Sequence, residues 1–191
     1  MLGQLPQTIE INGRTHQIRT DFRVVLRIIS ALNDDSLSDE EKAFVCLANI
    51  YKNLELIPKE DTAEAYKKAF DFIDFGVKET DRKQPRVLDW EHDEHLIFQA
   101  INKAAGIEVR SVDYMHWWTF MGYFQSISPE STFSTVMAIR QKRNRSEKLE
   151  KWEQNFYDNN RNLCDLKPTA RTTDTAKAQL EEIYNSLLKG K

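Results

Sequence analysis

The run YMHWWTFMGYF, from Tyr114 to Phe124, constrains this chain more than any other stretch. Wound as a helix, it places Tyr114, Trp117, Trp118, Met121 and Phe124 on one stripe. Phe120, Tyr123 and Ile127 widen that stripe, and His116, Thr119, Gly122 and Ser126 leave only a narrow strip of small or polar side chains. A helix apolar nearly all round is central in a core or is covered by a partner. Trp, Tyr and Met together also suit an adaptable binding groove, and Gly122 would let another helix approach closely. Ser111 or Asp113 is the expected cap. Ser128-Pro129-Glu130 ends the segment, because proline disfavours helix in the residue before it.

Most of the chain carries the same helical period. Asp21 is placed to cap a helix with Phe22, Val25, Leu26, Ile29 and Leu32 at helical spacing. Ser38-Asp39-Glu40-Glu41 reads as a capping box, in which Ser and the Glu three later each satisfy an orphan amide. The helix it opens aligns Phe44, Leu47, Ile50, Tyr51 and Leu54. Pro58 is expected to start a third helix with Tyr66, Phe70, Ile73 and Phe75 inward, and Gly76 stands where a C′ glycine belongs. Residues 77–88 have no period and hold Pro85, so they read as a linker or surface loop. Asp89 is then expected to cap a helix carrying Trp90, Leu96, Ile97, Ile101 and Ala104, closed by Gly106. Another helix begins near Thr132 with Phe133, Val136, Met137 and Ile139. Its slant continues past Arg145 through Leu149, Trp152 and Phe156. Residues 160–173 read as loop, and a last helix from Asp174 presents Ala176, Leu180, Ile183 and Leu187. The one good strand signal lies at the N-terminus, where Ile9 and Ile11, then Asn12-Gly13, then Thr15–Ile18 read as a hairpin with a type I′ turn. Such a hairpin is marginal alone and must dock on something.

The reading is therefore a mainly α protein: a multi-helix domain over residues 1–145 with an N-terminal β-hairpin at 9–18, and a charged helical C-terminal extension over 146–191. A length of 191 residues suits one compact domain with an appended arm. Hydrophobic residues make up 40% and charged residues 30%, a soluble globular balance. MLGQLPQTIE lacks the basic start and apolar run of a signal peptide, and no stretch approaches a membrane span. Cys46 and Cys164 form no CxxC pair. Cys46 reads as a small buried residue and Cys164 as exposed, and two such thiols suit a reducing cytoplasm.

Candidate chemistry is sparse. His92 and His95 are three apart, so both imidazoles could reach one ion from a helix face. The pattern departs from HExxH and from its inverted form, and it reads equally as a solvated helix start where Asp93 and Glu94 meet the positive dipole end. His16 and His116 are isolated, and His116 reads as a packed or capping residue. No GxSxG, GxGxxG or Walker A loop occurs, and six glycines are too scattered to cradle phosphate. The basic run Arg140, Lys142, Arg143, Arg145, Lys148 and Lys151 is interrupted by Glu147 and Glu150. It reads as a solvated face with Glu–Lys pairing, a site for an acidic protein, or a phosphate-contacting face. A net charge of −3 weighs against a dedicated nucleic-acid binder.

From Leu88 to Arg140 the order of residues resembles a family of small proteins from the tail gene clusters of long-tailed phages and prophages of Gram-positive bacteria. In that family an acidic D-x-x-x-I helix leads to a glycine and Ile. A His-Trp-Trp-x-Phe segment follows, and then a helix ending Ile-Arg. The matching positions are Asp93, Ile97, Gly106, Ile107, His116, Trp117, Trp118, Phe120, Ile139 and Arg140. The hairpin and Thr20-Asp21-Phe22-Arg23 are similar to the family's opening, so the resemblance spans about residues 9–145. Family members lie between the major tail protein and the tape measure protein and look like tail assembly chaperones.

The resemblance implies a non-enzymatic protein of the host bacterial cytoplasm, without cofactor, metal or catalytic residues. It would bind the phage tape measure protein, with the tail tube protein as a further partner, and would self-associate. Trp117, Trp118, Phe120, Tyr123 and Phe124 are the candidate client surface. The alternative is a small nucleic-acid-associated phage protein using residues 140–151.

Overall fold

A computed structural model describes residues 3–74 and 86–166. It is mostly helical. A two-stranded antiparallel hairpin, β1 Thr8–Ile11 and β2 Arg14–Gln17, precedes the helices. Asn12 (φ 47°) and Gly13 (φ 79°) supply the two positive φ angles that a type I′ turn demands. Alternation turns Ile9 and Ile11 inward. The turn is held at its tip, where the Asn12 side-chain amide donates to Asp61 Oδ1 at 2.6 Å.

After the hairpin the chain stays extended through Ile18–Asp21 and threads between two helix ends. Arg19 N–H donates to Ile50 O, and Trp117 N–H donates to Thr20 O, each at 2.7 Å. Phe22 N–H donates to Met115 O at 3.0 Å. Helix α1, Phe22–Leu32, then starts with Asp21 accepting from Arg23 N–H. Helix α2, Asp39–Ile50, opens on both halves of the Ser38–Glu41 capping box. At its other end the Arg19 guanidinium donates to the carbonyls of Ala48, Asn49 and Tyr51, which the helix itself leaves unpaired. Phe44, expected inward, is 39% exposed.

Pro58 opens a short 3-10 turn, and α3 runs Thr62–Ile73. Its buried residues are Ala65, Ala69, Phe72 and Ile73, while Tyr66 and Phe70 are half-buried. The small face is what lies against the core here, because Tyr51 fills that space and its hydroxyl donates to Ala65 O at 2.8 Å. Phe75, Gly76 and most of the 77–88 linker lie outside the described residues, as does the expected helix from Asp174.

Helix α4, Glu94–Ala105, ends at Gly106, whose φ of 71° is the left-handed C-cap. Asp89 caps the turn before it, accepting from Glu91 and His92 N–H, so Trp90 lies in that turn. Helix α5, Trp117–Gln125, is capped by His116, not by Ser111 or Asp113. Tyr114 consequently precedes the helix and is 53% exposed. Helix α6 covers Thr132–Asn144 from a Ser131 cap. It stops at Arg145, with Ser146 at φ 56°, and does not run on. Helices α7, Lys151–Asn159, and α8, Arg161–Cys164, return toward α6. Part of the expected 160–173 loop is thus helical, and Cys164 is buried at 2% exposure. Ile28, Ile97, Ile101, Trp117, Phe120 and Ile139 are among the fully buried residues of the core cluster.

Candidate interaction surface

The aromatic segment is assembled around His116. Its Nδ1 accepts from Trp118 N–H at 3.0 Å, which is the N-cap bond of α5. Because Nδ1 accepts, the ring proton sits on Nε2, which lies 2.9 Å from Pro6 O and donates to it. The next two side chains reach the other way. Trp117 Nε1 donates to Ile73 O at 2.8 Å, and Trp118 Nε1 donates to Phe72 O at 3.0 Å. Those carbonyls belong to the last turn of α3, where an α-helix has no partners of its own. Three consecutive residues, His-Trp-Trp, therefore tie the N-terminal segment and the end of α3 to the start of α5.

This geometry divides the five candidate surface residues. Trp117 is 1% exposed and Phe120 0%. Phe120 stacks on Phe22 at 4.5 Å between centroids, and Trp117 on Phe120 at 5.8 Å. Both are core side chains in this fold. Trp118, Tyr123 and Phe124 are half-buried, as are Met121 and Ile127 on the same helix and its end. Trp118 stacks on Phe72, and Phe124 lies between Trp90 at 5.2 Å and Phe133 at 5.6 Å. Trp90 and Phe133 flank this face from outside the aromatic run, and no spacing within that run pointed to them.

The basic run does not form one face. Arg140 is 4% exposed and makes a bidentate ion pair with Asp93 at 2.6 and 2.7 Å. Its remaining donors reach the carbonyls of Val87, Leu163 and Cys164. Lys142 pairs with Glu153 at 2.7 Å, Arg143 with Asp165, and Arg145 with Glu147 at 3.8 Å. The hydrogen bond from Lys142 holds the Glu153 carboxyl below its ordinary range, and the same bond raises the Lys142 ammonium. The nucleic-acid reading of residues 140–151 thus loses Arg140 to the interior and most of its other cations to carboxylates.

His92 and His95 do not share a helix face in the way the spacing suggests. Helix α4 begins at Glu94, so His92 belongs to the preceding turn. Among the described residues no group of three or more His, Cys, Asp or Glu side chains converges as a metal site would. Glu108, on the exposed corner after α4, has a carboxyl held well below its ordinary range. Hydrogen bonds from Arg110 lower it to about 2, helped by Asn102.

The positions that carried the phage resemblance now have structural roles. Asp93 and Arg140 are the buried pair. Ile97 and Ile139 are core, Gly106 is the left-handed cap, and His116 and Trp117 hold α5 in place. Residues 1–166 match the family described as Bacteriophage Gp15 protein. The chain belongs to that family. No curated protein and no solved structure shows significant similarity to it. The Gp15 match takes in α7 and α8 as well as the aromatic segment. Among the described residues of this Gp15 protein, no helix is long and apolar enough to cross a membrane.

Proposed function

We propose that this Gp15 family protein is a non-enzymatic phage tail assembly chaperone. It binds the tape measure protein in the host cytoplasm and keeps that long helical chain soluble while tail tube subunits are recruited. The observation that carries the reading is the set of half-buried aromatic side chains around α5. Trp118, Tyr123 and Phe124, with Met121, leave large, adaptable apolar area only partly covered. A client helix exposing an apolar stripe is recognised by such a face through distributed contacts of moderate affinity, which permits release. The resemblance to proteins encoded beside the tape measure protein supplies the identity of the client.

Co-expression with fragments of the tape measure protein from the same tail gene cluster tests this. Recovery of an otherwise insoluble fragment in a soluble complex supports it. Fragments that all stay insoluble and unbound would sink it. The nucleic-acid alternative is not favoured, since the pairing of Arg140, Lys142, Arg143 and Arg145 leaves few free cations for phosphates.

A further inference from the structure

Helices α7 and α8 are attached to the body in an unusual way. Between Lys151 and Asp165 only Glu153 and Cys164 are nearly fully buried, at 3% and 2% exposure. Phe156, Tyr157 and Leu163 are half-buried, and Trp152 is 60% exposed. The polar part of the hold on α6 comes from three cations. Lys142 grips Glu153 through both carboxylate oxygens at 2.7 and 2.8 Å. Arg143 pairs with Asp165 and lies 4.0 Å over the Tyr157 ring. Arg140 donates to the carbonyls of Leu163 and Cys164. A shallow groove lined mainly by residues 146–151, with Arg143 and Tyr157, opens beside the α6–α7 connection.

We propose that α7–α8 is an arm latched onto α6 by Lys142, Arg143 and Arg140, and that it opens as a unit while the rest of the fold stays closed. The physical reason is the kind of contact. Apolar burial anchors an element independently of salt, whereas ion pairs near the surface weaken as ionic strength rises. The core around α1, α4 and α5 is held by the first kind, whereas α7–α8 adds the second kind, through Lys142 and Arg143, to the apolar packing of Phe156, Tyr157, Leu163 and Cys164. Opening separates two acidic side chains, Glu153 and Asp165, from the cationic end of α6. It also brings Cys164 to solvent.

The two thiols report the two events separately. Cys46 sits in α2 at 0% exposure, with burial pushing its thiol up to about 12, and meets reagent only on global unfolding. Cys164 sits in α8. The full chain is alkylated under native conditions, and each site is followed by peptide mapping. Cys164 labelling should accelerate about tenfold between roughly 50 mM and 1 M sodium chloride, while Cys46 stays protected. Lys142→Gln should raise the Cys164 rate at low salt and flatten its salt dependence, again without touching Cys46. Equal labelling of both cysteines, or a Cys164 rate indifferent to both salt and Lys142→Gln, would overturn the proposal.

Discussion

Asp93 and Arg140 stand 47 positions apart and meet as a two-pronged ion pair whose side chains are 1% and 4% exposed. The guanidinium fork satisfies both carboxylate oxygens and three main-chain carbonyls, so one side chain joins α6 to the segment before α4 and to α8.

Removing either partner strands a buried charge. Asp93→Asn should therefore cost about 3–5 kcal/mol in chemical denaturation. Arg140→Lys should lose most of that as well, because an ammonium cannot span the same acceptors. A loss below about 1 kcal/mol for both variants would contradict the buried geometry.

Trp117→Ala should cost about 3–5 kcal/mol, since it empties core volume and frees Ile73 O. Tyr123→Ala, on the half-buried face, should cost clearly less and instead weaken recovery of tape measure fragments. Comparing melting temperature with pull-down yield for the two variants separates core from client surface.

His116 acts through two nitrogens. His116→Asn keeps an acceptor for Trp118 N–H but cannot also reach Pro6 O. His116→Leu loses both bonds. The Leu variant should be the less stable, by about 1 kcal/mol for the lost cap. Denaturant midpoints of the two would show it.

Acid should loosen the corner after α4 only at low pH. Glu108 is lowered to about 2 from an ordinary 4.5, chiefly by hydrogen bonds from Arg110. A depressed folded value means that its contribution is present above the unfolded value and is lost as pH falls through the folded one. The window is therefore about pH 4.5 down to 2. The side chain is solvent-facing, so the effect is local. Carboxyl NMR titration of Glu108 should give the low value, and Arg110→Gln should return it toward the ordinary range.

Signals confined to a few neighbouring residues were legible before any coordinates. The Asn12-Gly13 turn, the Asp21 cap, the Ser38–Glu41 box and the Gly106 stop each depend on a local backbone need, so residue type alone reveals them. The apolar period located α1, α4 and α6 for the same reason. Those signals could not show which cap wins when several compete. His116 displaced Ser111 and Asp113 because the extended Thr20–Asp21 segment pairs with Met115 and Trp117 and fixes where α5 begins. Nor does charge spacing reveal where a cation's partner lies. Arg140 reads as one of a basic run until Asp93, remote in the chain, draws it inside. Lys142 and Arg143 likewise read as solvated cations beside Glu147 and Glu150 until α7 and α8 turn back from Ser146 and supply Glu153 and Asp165. Period and caps are written within single turns of helix. The burial of Trp117 and the exposure left to Trp118 and Phe124 depend on α3, Trp90 and Phe133 arriving from elsewhere in the chain, and only tertiary packing decides them.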